Sequence, residues 1–401
     1  MKDKLKRNIN LILLTFFGIG NILGAGIYVI TGEIGRIAGI YAPLAFLVAS
    51  TVALLSAFSY SEMSARLPYS AGEAVYVQTA FHHKSLSIIV GFAIAIAGMV
   101  SAAVITRGFA EYFLQFVDIS ESMAIIGLLF LLCLLTLWGI KEAAMASAVI
   151  TIIEISGLLL LLYAGSDLIF EFSDRIDRIF KLESFSNLKS IFAASFIAFY
   201  AYIGFEDMVN IAEEVKNPKK NMPKGIFLSL FFTFILYFLV SYVYVFTIAD
   251  IESKNVEAPL SFAYERLTGS KAHTMSLIAS FAVINGALFQ MIMASRIFYG
   301  MSKKKLFPAV FSKTLSKSQT PLYSTIMVAF IIMVLALFLP TIGLAKATSF
   351  IILSVFSMVH LSLIKIKKTN PAPKGVHTYP AFIPYLGLLV CLLFLVFEII
   401  F

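Results

Sequence analysis

The chain has 401 residues, 60% of them apolar and only 13% charged, against about 45–50% and about 25% in soluble domains. A water-soluble globule is excluded. The net charge of +8 is strung out between apolar stretches, whereas a nucleic-acid footprint needs basic residues gathered on one water-facing surface. Two cysteines, both inside apolar runs, and five scattered histidines offer neither a disulfide framework nor metal-ligand spacing.

A helix that crosses a hydrocarbon core of about 30 Å needs about 20 apolar residues. Eleven stretches reach or approach that length: 9–30, 41–63, 86–116, 123–138, 143–164, 188–211, 226–249, 274–301, 322–340, 345–366 and 379–401. The first is too long and too rich in glycine for a cleaved signal peptide. The segments 165–187 and 250–271 mix both charges and are expected to form short surface helices. With the amino terminus inside, 21 of the 31 basic residues fall in inner loops and 9 in outer ones, Arg107 lying within the third span. Because Lys and Arg are retained on the cytoplasmic side, a multi-pass protein of the cell membrane is expected, amino terminus in and carboxyl terminus out.

Two spans carry breaks. The first holds Gly18, Gly20, Gly24 and Gly26 within nine positions, each costing a helix about 0.5–1 kcal/mol relative to Ala. Gly20 and Gly24 also suit close helix packing, but Gly24-Ala25-Gly26 puts small residues on three successive faces, more than one contact uses. The sixth span runs from Phe199 through Gly204 to Glu206 and Asp207, and a carboxylate at that depth costs several kcal/mol unless paired, protonated or hydrated. Breaks five spans apart point to inverted repeats. The expected layout is one transmembrane domain, 1–401, with repeats 9–164 and 188–366 and an added span 379–401.

Unwound half-helix ends present N–H groups to an anion and carbonyls to a cation, and a free amino acid carries one of each. Its carboxylate is expected at Gly24, Ala25 and Gly26. The carbonyls of Ile22, Tyr200 and Ile203 would take the ammonium.

At Gly20 to Tyr28, Phe199 to Pro218, Glu62 to Glu73, Gly139 to Glu142, Asn285 to Ala287 and Met293 to Arg296, the chain resembles the amino acid, polyamine and organocation transporter superfamily, over about residues 8–366. The resemblance implies an all-α polytopic LeuT-like fold: a core of five plus five inverted spans, with one more at the carboxyl terminus. Substrate would sit between spans 1, 3, 6 and 8 during alternating access, with Tyr200 as an aromatic gate. Some members carry a lysine in the fifth span where relatives bind sodium. Here Glu154 stands near that place. It can carry a proton, the favoured reading, or neutralise a sodium held by the carbonyls of Gly20 and Leu23; Asn285 and Glu206 are further coupling candidates.

Met99, Ala103, Phe199, Ile284 and Gln290 complete the expected pocket. It lacks a fixed charge matched to a side chain, which favours neutral amino acids, while Glu206 leaves cationic amino acids or polyamines open, as it leaves exchange open. Arg107 and Glu111, four apart on one helix face, are expected to pair, as a structural bridge or an outer gate. Glu213 and Glu214 read as a solvated face or an inner gate. The expected partners are an amino acid and the lipid bilayer, with no nucleic acid, no metal and no cofactor beyond the coupling ion, H+ or Na+. No nucleophile with a base is apparent, so an enzyme is not expected; a passive channel and a non-transporting sensor are the alternatives from other classes.

Overall fold

The computed structural model describes residues 5, 7–23, 26–114, 117–181, 184–248, 259–270, 273–338 and 344–400. Apolar runs become helices because backbone groups in hydrocarbon must bond within their own segment. The first crossing holds α1 (Leu11–Leu23) and α2 (Gly26–Ala38), on either side of Gly24 and Ala25, which lie outside the described residues. A short 3-10 turn leads into α3 (Ala42–Arg66), then α4 (Gly72–Phe81) and α5 (Lys84–Phe113). The Ser120 hydroxyl caps α6 (Glu121–Trp138) by accepting the Met123 N–H, and α7 (Ile140–Ala164) follows. Two short helices, α8 (Ser166–Phe170) and α9 (Phe172–Phe180), occupy the charged segment where surface helices were expected.

The sixth crossing is divided, into α10 (Phe185–Tyr202) and a 3-10 helix, Glu206–Glu214. Next come α11 (Pro218–Ile248), α12 (Pro259–Thr268), α13 (His273–Lys303), α14 (Leu322–Phe338), α15 (Leu344–Thr369) and α16 (Ile383–Ile400). Among the described residues nine helical segments are long and apolar enough to cross a membrane, and α14 and α16 supply two shorter apolar ones. The helix of the seventh crossing starts at Pro218 rather than at residue 226. Its first turns carry Lys219, Lys220 and Lys224, whose apolar stems run along the helix while their heads reach water.

The first and sixth crossings lie at the centre. α1 packs on α7, α11 and α13, α10 packs on α2 and α3, and α13 lies along α5. Outside this core, α16 is fastened through one carboxylate. Glu62 at the end of α3 is fully buried and accepts from Arg66 at 2.6 Å, from Lys367 at 2.9 Å and from the Tyr379 N–H at 2.9 Å. Arg66 also donates to the carbonyls of Asn370 and Pro371, which ties the α15–α16 connection to α3.

Truncating one partner of a buried charge cluster costs about 3–5 kcal/mol, because the remaining charges lose their counter-ion. Glu62→Ala is therefore expected to lower the thermal unfolding midpoint in detergent, with Glu62→Gln between it and the parent. An unchanged midpoint would refute this fastening.

Candidate functional site

The break of the sixth crossing lies against α1. Beyond Tyr202 the backbone turns extended at Ile203, and Gly204 takes a φ of +132°, a region side chains rarely adopt. A Cβ there would also fall 2.9 Å from the Asn21 carbonyl oxygen. The Asn21 side chain crosses the junction, donating from Nδ2 to the Gly204 carbonyl at 2.5 Å and to Asp207 Oδ2 at 2.9 Å. Gln290 of α13 donates to the same Asp207 oxygen at 2.9 Å. Glu206, first residue of the 3-10 helix, turns back and accepts the Gly204 N–H at 2.8 Å. From α11 the Tyr237 hydroxyl reaches the Ile22 carbonyl at 2.7 Å and the Ala201 carbonyl at 3.0 Å, one from each crossing. Its single proton is shared between them, so the Ile22 carbonyl, expected to be free for an ammonium, is partly engaged.

A cavity of about 30 Å³ lies at this junction, room for about two waters. Ile22, Gly26, Tyr200, Ile203 and Gln290, all expected in the pocket, line it, together with Asn21, Ser101, Ile105 and Gly286. Met99, Ala103, Phe199 and Ile284 are not among its lining residues. The reason is helix phase: Ser101 and Ile105, like Gly286 and Gln290, are four apart and share a face, and residues two positions away point elsewhere. The Phe199 ring packs edge-on against Phe356 of α15, centroids 5.9 Å apart. Tyr200 reaches over the cavity toward α5, its hydroxyl 3.4 Å from that of Ser101. Gly24 and Ala25 lie outside the described residues.

Because the Asn21 and Gln290 amides both turn their N–H groups to Asp207, their oxygens are left over. Asn21 Oδ1 and Gln290 Oε1 are buried and without a hydrogen-bond partner. Asn21 and Gln290 line the cavity together with Gly26, the first described residue of α2.

A second cluster joins α1, α7 and α13. Asn285 Nδ2 donates to Thr151 Oγ1 at 3.1 Å, and that hydroxyl lies 3.4 Å from the Phe16 carbonyl. A Cβ on Gly20 would stand only 2.0 Å from the Thr151 oxygen, so close approach of α1 requires glycine. Glu154 is fully buried beside the Asn285 amide, yet that amide's N–H goes to Thr151 and neither carboxyl oxygen is hydrogen-bonded. Tyr28 donates to the Glu154 backbone carbonyl at 2.8 Å. Gly20, Asn285 and Glu154 therefore meet as expected, with Leu23 buried three positions along α1; Thr151 is the added member. Glu206, grouped with them in the sequence reading, belongs instead to the first junction.

Toward the lysine-rich face the chain is shut. Ile9 pairs with the end of the 3-10 helix, its N–H donating to the Glu214 carbonyl at 3.0 Å and its carbonyl accepting the Lys216 N–H at 2.8 Å. Glu214, 1% exposed, forms an ion pair at 3.4 Å with Arg296, 0% exposed. A solvated face is thereby ruled out for Glu214, because the 3-10 helix tucks it beneath α13. Glu213 accepts the Ser70 N–H at 3.2 Å, and the Gly72 N–H donates to Asn210 at 3.1 Å. Glu73, at the start of α4, had appeared only as part of a family motif. Burial pushes its carboxyl up to about 8 against its hydrogen bonds, the Asp207 charge adding to the rise. Near the other face Arg107 stands 3.5 Å from Glu121, a partner that sequence spacing did not suggest; the side chain of Glu111 lies outside the described residues.

A sixth crossing broken beside the first, over a small cavity lined by both, in a helical bundle, is the arrangement of a LeuT-type membrane fold. The chain belongs to the amino acid permease family, which it matches over residues 9–401. It is 28% identical to "Cationic amino acid transporter 3, mitochondrial" of Arabidopsis thaliana, over 88% of this chain and 61% of that one. It is 26% identical to "Branched-chain amino acid permease BcaP" of Bacillus subtilis, over 98% and 88% of the two chains. The chain spans about three fifths of the length of the Arabidopsis relatives it matches. A Na+-coupled sialic acid symporter, solved substrate-bound and outward-open, shares the fold with a TM-score of 0.61 at 11% identity, over 98% of this chain and 91% of that one.

Gly204→Ala is expected to cost about 1–3 kcal/mol from backbone strain alone, with the Asn21 contact added. Gly269, at a φ of +68° with nothing near it, serves as the control that carries only backbone strain. Equal shifts of the thermal midpoint for the two variants would refute the tight junction.

Proposed function

We propose that this chain is a secondary transporter that takes up amino acids by alternating access, with its amino terminus in the cytoplasm and a proton as the coupling ion. One observation carries the reading: Tyr200 and Ile203 at the break of the sixth crossing face Ile22 and Gly26 of the first across one cavity, beside Asn21 and Gln290. Backbone groups freed at a break attract the charged ends of an amino acid. The cavity, about 30 Å³, is smaller than an amino acid, so binding requires the surrounding helices to move apart. Uptake then requires the Glu214–Arg296 pair and the Ile9–Val215 pairing to part on the cytoplasmic side.

Neutral substrates fit best. The carboxylate nearest the cavity, Asp207, already accepts from two amides, and Ile22, Ile105 and Ile203 furnish apolar walls. The relative named for branched-chain amino acids matches along nearly the whole of both chains, which agrees with this preference. A cationic substrate is the second reading, favoured by the Arabidopsis relatives' names and by the acidic cluster behind the cavity wall.

For coupling, no cation pairs with Glu154 among the described residues. A charge held in this state costs several kcal/mol at mid-membrane depth, and a proton removes that cost. Repeats 9–164 and 188–366, rocking about the first and sixth crossings, would expose the Glu154 cluster and the cavity alternately.

A Cβ on Gly26 would meet the Ala201 Cα at 3.0 Å, so Gly26→Val is expected to abolish uptake in proteoliposomes while the protein still folds. Asp207→Asn removes charge-assisted bonds of about 1.5–3 kcal/mol and is expected to raise KM about tenfold. In a panel of neutral and cationic amino acids, leucine accumulation with arginine excluded supports the first specificity reading, and the reverse supports the second. Accumulation under an imposed proton gradient should vanish in Glu154→Gln while substrate exchange persists. Accumulation driven by sodium alone would refute the proton.

A further inference from the structure

Between α3 and α11, on the outside of the bundle, runs a groove of about 1040 Å³. Interiors of folded proteins leave no space of this size empty. Its long walls are apolar, with Leu47 and Leu54 from α3 facing Phe227, Phe231 and Phe234 from α11. One end is different: Lys219, Lys220 and Lys224 gather there, with His377 from the connection that Glu62 holds in place. Among the described residues no carboxylate pairs with any of the three lysines, and all three are exposed.

Dimensions and charge select the occupant. From Lys219 to Phe234 the helix rises about 22 Å, and one leaflet of hydrocarbon is about 15 Å thick. A headgroup at the lysines therefore leaves the acyl chains along the phenylalanines. Three cations at the membrane surface call for an anion, and the loop charge count assigns this end to the cytoplasmic leaflet, whose anionic lipids attract juxtamembrane lysines. We propose that the groove between α3 and α11 binds an anionic phospholipid, its phosphate among Lys219, Lys220 and Lys224 and its acyl chains on the apolar walls.

The groove also adjoins the transport core. Tyr202, at its floor, is 1% exposed and packs edge-on against Tyr237, ring centroids 5.1 Å apart. Tyr237 is the residue whose hydroxyl meets a carbonyl of the first crossing and one of the sixth. A seated lipid thus lies two rings away from the junction.

Native mass spectrometry of the full chain, with phosphatidylglycerol or phosphatidylcholine of identical acyl chains added to the detergent, tests the assignment. A single phosphatidylglycerol is expected to be retained in preference to phosphatidylcholine. The triple variant Lys219→Gln, Lys220→Gln and Lys224→Gln should weaken its retention about tenfold or more. Lys305→Gln with Lys313→Gln, which removes charge from the same face away from the groove, should leave it unchanged. Leu54→Trp, at a position 43% exposed and so tolerant of bulk, should fill the groove and weaken both lipids. Equal retention of the two lipids would overturn the proposal, as would undiminished phosphatidylglycerol binding in the triple variant. A lipid-free dimer disrupted by Leu54→Trp would likewise overturn it, assigning the groove to a second copy of the chain.

Discussion

Everything at the centre of this molecule depends on one constraint: a helix opened inside hydrocarbon must have its freed backbone groups bonded by something other than water. Asn21 meets it for the sixth crossing by bonding the Gly204 carbonyl, and Tyr237 meets it for both crossings through Ile22 and Ala201. Glu206 covers the remaining Gly204 N–H. The break is therefore stabilised by side chains from elsewhere in the bundle, and an open helix becomes a defined structure rather than a weak point. Glycine at 204 is what allows the chains to approach closely enough for these bonds.

The buried acids divide the labour by what surrounds them. Glu62 has two cations and a backbone N–H and holds two helices together. Glu214 has one cation and closes a face. Asp207 has only amides, those of Asn21 and Gln290. Glu154 has the Asn285 amide beside it and, among the described residues, no cation. Similar side chains thus differ by what surrounds them, from the doubly paired Glu62 to the unpaired Glu154.

Much of the fold was legible in the amino-acid order, since hydropathy over about 20 residues reports a crossing and the glycine and carboxylates of the Gly204 to Asp207 run report the break there. Helix phase was not, because α5 and α13 are apolar on nearly every face and no stripe says which residues look inward. Met99 and Ala103 were chosen where Ser101 and Ile105 line the cavity. The partners of charged residues were equally hidden: Glu214 meets Arg296 across 82 positions, and Asn21 meets Asp207 across 186. Spacing along one helix cannot show a neighbour such as Glu121, 3.5 Å from Arg107 on the next helix.

The Glu214–Arg296 pair has a consequence for leakage. In a dry interior two opposite charges attract strongly, and the same pair in water attracts weakly. Small excursions that keep the interface dry are therefore pulled back, while an excursion large enough to admit water loses most of its restoring force at once. The closure acts as a latch with a threshold rather than a graded spring, so partly open conformations are short-lived. A solute smaller than the cargo finds no steady crevice to slip through.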